Sequence, residues 1–129
     1  MTRVGRLTIR FTAAAGWAML IACGSDPAPA PSPPVTGTTI SITSRGVTPK
    51  NLLVSPGSQV TFVNNDSRDH DMNSDPHPEH TDCPALNTVG FIVPGQSKQT
   101  GNLNAVRTCG FHDHMRPEDA SLRGTITIQ

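Results

Sequence analysis

The sequence predicts an all-β sandwich or barrel, and three observations carry that prediction. Apolar residues alternate with Thr and other small or polar residues at Ile40 and Ile42, and again at Ile126 and Ile128. Pro56-Gly57 and Pro94-Gly95 punctuate the chain as turns. No window carries a helical stripe, and the composition is unlike a helical bundle, with 4% aromatics, no Tyr, 11 Gly and 12 Pro. A length of 129 residues allows one domain.

The elements follow in order. Thr39–Thr43 reads as a strand, and residues 51–54 form a short apolar run before the first turn. Residues 59–64 set Val60 and Phe62 on one face, with Thr61 and Val63 on the other. Residues 72–90 read as a long polar loop without regular structure, a kind of loop that is usually functional or disordered. Residues 91–93 lead into the second turn. Residues 98–104 and 108–114 read as a hairpin around residues 105–107, and residues 123–129 close the chain as a strand.

The N-terminal part reads as address and tether. Arg3, Arg6 and Arg10 precede a twelve-residue run of mostly apolar and small residues, 11–22, too short for a permanent transmembrane helix. Leu20-Ile21-Ala22-Cys23-Gly24 resembles the lipobox of bacterial lipoproteins, which implies cleavage of residues 1–22 and a lipid on Cys23. Residues 23–37 then form a lipid-anchored linker; five Pro in 25–37 make it extended and semi-rigid. The expected domain is 38–129, with seven Lys/Arg against nine Asp/Glu, and the expected location is extracytoplasmic and membrane-anchored. No basic face suggests nucleic acid as a partner. Cys83 and Cys109 remain, and an oxidising compartment makes one disulfide their default state; the rival reading is that Cys109 is a metal ligand.

All five His fall between residues 70 and 114: His70, His77, His80, His112 and His114. Asp69, Asp71, Asp75, Glu79 and Asp82 are interspersed among the first three. Imidazole is the commonest metal ligand, and carboxylates orient it. Two residues apart on a strand, His112 and His114 share a face and can chelate one ion, whereas Asp113 points the other way. His77 and His80 are within chelating reach of each other in the loop. The clustering points to a metal site. Met72 is a possible soft ligand, though a loop Met is more often a packing residue.

The run Val54-Ser55-Pro56-Gly57-Ser58-Gln59-Val60-Thr61-Phe62-Val63-Asn64-Asn65-Asp66, followed by His70, resembles the start of a cupredoxin, the plastocyanin and azurin family. Residues 93–97 resemble that family's later turn and residues 124–128 its final strand. The resemblance implies a Greek-key β-sandwich or barrel of the cupredoxin type, with His70 as the first copper ligand. Two registers then compete. In one, Cys109, His112 and Met115 follow a blue-copper ligand spacing and join His70 in an electron-transfer site. In the other, which turn and strand spacing favours, Asp113 takes the place of the ligand Cys, Arg116 that of the ligand His and Leu122 that of the axial Met.

The favoured register places one copper ion on His70, His112 and His114, with Asp113 nearby and His77 or His80 able to close over it; the same His set would hold zinc. It leaves Cys109 to pair with Cys83. The function expected is copper binding or carriage, without catalysis and with a redox or copper-trafficking protein as partner. Blue-copper electron transfer through Cys109 is the alternative. A superoxide dismutase-like enzyme is a remote one, because Gly110-Phe111-His112-Asp113-His114 resembles the Gly-Phe-His-x-His of copper–zinc superoxide dismutases while only 15 residues follow. A metal-free structural or adhesive sandwich requires the five His to be scattered on the fold. No Gly-x-Ser-x-Gly motif supports a hydrolase.

Overall fold

The computed structural model describes residues 30–129. The expected signal peptide, residues 1–22, and the expected lipid anchor at Cys23 lie outside the described residues, as does the first part of the linker. Ten strands form two sheets: β1 (Val35–Thr36), β2 (Thr39–Thr43), β3 (Gly46–Thr48), β4 (Asn51–Val54), β5 (Thr61–Asn64), β6 (His70–Ser74), β7 (Gly90–Ile92), β8 (Ser97–Gln99), β9 (Arg107–Asp113) and β10 (Gly124–Ile128). The larger sheet runs β1-β4-β10-β9-β6-β7 and the smaller β3-β2-β5-β8. Both are mixed: β10 is parallel to β4 and antiparallel to β9, and β2 is parallel to β5.

The alternation explains the two layers. Ile40, Ile42 and Phe62 turn inward from the smaller sheet, while Leu52, Val54, Cys109, Phe111, Ile126 and Ile128 are buried residues of the larger one. Phe62 and Phe111 pack edge to face with ring centroids 5.3 Å apart, the arrangement the aromatic quadrupole favours.

Sequence and structure differ in three places. The segment 98–114 is not a hairpin: β8 pairs with β5 in one sheet, whereas β9 pairs with β10 and β6 in the other. Its two arms lie in different layers, and residues 100–106 make the crossing. The segment 72–90 is not structureless either. It begins inside β6, ends in β7, and contains a 3-10 turn over Leu86–Thr88. Cys83, Leu86 and Val89 anchor it in the core. Finally, pairing begins at β1, whose Val35 and Thr36 lie parallel to Leu52 and Leu53, within the segment read as linker.

Candidate metal centre

Two strands set up the centre. In β9, Cys109, Phe111 and Asp113 face the interior, so His112 points to the opposite, outer face of the larger sheet. In β6 the inward set is His70, Met72 and Ser74. The register pairs Met72 with Asp113 and Asn73 with His112. Paired residues share a face, so strand parity alone sends His70 and Asp113 inward and His112 outward.

The loop 75–89 brings His77 and His80 to His112 and His114. His77 lies with its ring centroid 5.3 Å from that of His112 and 4.8 Å from that of His114. His80 lies 5.2 Å and 4.8 Å from the same two rings. One ligand atom from each of the four His can be chosen so that all lie within 4.8 Å of one another. One close approach is His114 Nδ1 to His80 Nε2, at 3.1 Å. Metal–nitrogen bonds of about 2.0 Å put neighbouring donors of a tetrahedron about 3.3 Å apart, so this pair already has the spacing of two ligands to one ion.

Three of the four residues, His80, His112 and His114, are positioned by backbone or carboxylate partners. His80 sits in the left-handed region at φ 54°, a conformation that costs most residues about 1–2 kcal/mol and that His tolerates better than most. Its N–H donates to the Pro76 carbonyl at 2.7 Å, and its own carbonyl accepts from Asn87 Nδ2 at 2.8 Å. Asn87 Oδ1 also accepts from the Ser74 N–H, at 2.8 Å, which ties the loop to the end of β6. His114 donates its backbone N–H to Asp71 O at 2.7 Å, which continues the β6–β9 ladder past Asp113.

Asp75 Oδ1 lies 2.7 Å from Nδ1 of His112, the carboxylate–imidazole contact that fixes the tautomer of a metal-binding His. That contact leaves the other nitrogen, Nε2, as the free donor. Nε2 of His112 is buried and has no hydrogen-bond partner among the described residues. A buried, unsatisfied imidazole nitrogen costs about 1–3 kcal/mol, and a ligated metal ion removes that cost. Burial, then the neighbouring His112, His114 and His77, hold the His80 imidazole below its ordinary value of 6.5. The neutral ring that results is the form that binds metal.

Gly110 makes the Asp75 contact possible. A side chain at position 110 would collide with the Asp75 carboxylate, and the two backbones meet as the Asp75 N–H donates to Gly110 O at 3.0 Å. Neither role was foreseen from the sequence, where Asp75 was one of several interspersed carboxylates. The cue was the glycine two residues before His112, which frees room on the face that His112 uses. Replacing Asp75 by Asn keeps the size and removes the charge. The expected loss of metal affinity is about 10- to 100-fold, measured by chelator competition with the fold intact by circular dichroism.

The other expected site residues separate from this cluster. His70 is fully buried and does not join His112 and His114: its Nδ1 lies 2.9 Å from Asp113 Oδ2 and its Nε2 3.2 Å from Asp66 Oδ2. Asp113 is likewise interior. Strand parity is the reason for both, since His70 and Asp113 occupy inward positions of β6 and β9. Met115 is half exposed, and Met72 is a core residue. Cys109 forms a disulfide with Cys83, Cα atoms 5.8 Å apart, so it is no thiolate ligand, and the register that made it one is corrected. The pairing arises because β6 ends opposite Phe111, which leaves Cys109 open to the loop.

Around His70 the interior groups form a network. Asp113 Oδ1 accepts from the backbone N–H groups of Asp71 and Met115, and its Oδ2 accepts from Arg116 Nη1 at 3.1 Å. Asp66 pairs with Arg68 at 2.7 Å. The Arg68 hydrogen bond, helped by the Ser67 N–H and His70, lowers the Asp66 pKa to about 2 from an ordinary 3.8. Its native-state advantage is therefore present above pH 3.8 and lost as pH falls through about 2. Thermal melts of the wild type and of Asp66→Asn should converge over that window; a constant gap would contradict the assignment.

The fold is that of the cupredoxins. A purple cupredoxin from Nitrosopumilus maritimus superimposes with a TM-score of 0.56 at 17% identity, over 72% of this chain and 100% of its own. A reduced amicyanin variant gives 0.56 at 16%, over 70% and 80%. The oxidised plastocyanin of Dryopteris crassirhizoma gives 0.55 at 17%, over 70% and 99%. No protein-family profile matches the chain, and no curated protein sequence does. Among the described residues no helix is long and apolar enough to cross a membrane.

Proposed function

We propose that this chain binds copper through His77, His80, His112 and His114 on the outer face of its larger sheet, and that it stores or carries the ion. The observation that carries the reading is the buried, unpartnered Nε2 of His112, fixed from behind by Asp75 and flanked by three other imidazoles. Four neutral nitrogen donors suit copper and zinc alike, and among divalent first-row ions such sites favour copper. The fold neighbours lend support, since one amicyanin variant among them is described in its Cu(I) form. The ion, when bound, supplies a Lewis-acidic or one-electron centre. The chain supplies its neutral imidazoles, the Asp75 contact that orients one of them, and the loop that presents two.

With Cys109 held by Cys83, blue-copper chemistry has no thiolate among the described residues. Copper handling therefore leads over electron transfer, and the natural partner is a protein that gives or takes copper. The same reading places the domain outside the cytoplasm, tethered by a lipid on Cys23 once residues 1–22 are removed. Cys23→Ser should then release the protein from the membrane fraction.

The visible spectrum of the protein loaded with Cu(II) tests the assignment of function. A pale spectrum with one equivalent of copper bound fits an imidazole site. An intense thiolate-to-copper band would revive Cys109 as a ligand and electron transfer with it. Preference for Zn(II) over Cu(II) in competition would replace copper by zinc.

A further inference from the structure

The sandwich interior holds a second cluster of candidate ligands, and it is built differently. The sequence resemblance puts His70, Asp113, Arg116 and Leu122 at the copper-ligand places of cupredoxins. The structure gathers the first three around Asp113: His70 Nδ1 lies 2.9 Å from Asp113 Oδ2, and Arg116 Nη1 donates to the same oxygen at 3.1 Å. Leu122 is fully buried and offers no donor atom.

These residues do not fit a metal ion. Both imidazole nitrogens of His70 are taken by carboxylate oxygens, those of Asp113 and Asp66. All four hydrogen bonds to Asp113 are filled, by two backbone N–H groups, the imidazole and the guanidinium. Each carboxylate already has a guanidinium partner, Asp113 with Arg116 and Asp66 with Arg68. A guanidinium cannot shed its proton to make room, and a dication added beside it would be an uncompensated buried charge.

We infer that the guanidinium of Arg116 stands in for the metal at the interior copper position of the fold, so that, among the described residues, metal is taken up on the outer face of the sheet alone. The interior network then acts as a protein-only clamp. Asp113 ties β9 to β6 and to the following turn, and so sets the strand end that carries His112 and His114.

The inference is independent of which ion the outer site prefers, and ring-nitrogen NMR of the wild-type protein titrated with Zn(II) reads the two places separately. The ring signals of His77, His80, His112 and His114 should shift, while those of His70 stay where they are. A shift of His70 on saturation would overturn the inference. If no ring signal moves at all, the outer-site reading fails while the interior is still shown to refuse metal. A second measurement uses Arg116→Gln. The variant should melt at a lower temperature, because Asp113 loses its guanidinium partner. An unchanged melting temperature would contradict the clamp, and uptake at His70 in the wild type would contradict the closure.

Discussion

Replacing His112 by Gln removes metal binding almost completely, with an expected loss of more than about a hundredfold in affinity, because even partners of a ligand cost 10- to 100-fold. His112 is the ligand the fold has prepared most fully. Its strand position is fixed by the pairing of β9 with β10 and β6, its Nδ1 is held by Asp75, and its Nε2 has no other partner among the described residues. A chain that binds metal in its native state alone gains about 2.7 kcal/mol at a free ion concentration one hundred times the dissociation constant. Copper should therefore raise the melting temperature of the wild type and leave that of His112→Gln unmoved. His70→Gln should show the opposite pattern, with a lower melting temperature and retained metal, because His70 serves the interior network.

Loss of the disulfide is the second large effect. Cys83 and Cys109 are 26 residues apart in sequence, and closing a loop of that size restricts the unfolded chain by about 3.5 kcal/mol. For a domain of about one hundred residues this corresponds to a fall of roughly 15–25 °C in melting temperature. The double variant Cys83→Ser/Cys109→Ser should show that fall in calorimetry. It should also bind copper more weakly, because the bond fastens the loop that carries His77 and His80 to the strand that carries His112 and His114. Stability lost with affinity unchanged would mean that the loop is held by Leu86, Val89 and Asn87 alone.

Much of the fold was legible where alternation is simple. Strands β2, β4, β5 and β10 place Ile, Leu, Val and Phe at every second position, and the two Pro-Gly turns lie where the chain reverses. Strand β6 was not legible, because its inward residues are His70, Met72 and Ser74, and a polar inward face reads as a loop. What compensates His70 comes from Asp113 and Asp66, and no local pattern announces partners 43 and 4 residues away. The hairpin expected over 98–114 failed for a related reason: β8 is short and largely exposed, so its layer is decided by pairing with β5.

The site was legible as a composition and illegible as a grouping. Five His within 45 residues pointed to a metal centre, and the shared face of His112 and His114 followed from strand parity. The grouping with His70 depended on which way β6 turns its even-numbered residues, and that is settled by its pairing with β9. Asp113 could not be on both faces of its strand; the structure gives it to the interior, with His70.

The central claim is that the metal lies on the outer face, against His112. The most direct test is an anomalous difference map, at the copper edge, from a crystal of the copper-loaded protein. The account predicts one peak, about 2 Å from Nε2 of His112 and bonded to imidazoles of His77, His80 and His114. A peak between His70 and Asp113, or one bonded to a sulfur of Cys109, would contradict it.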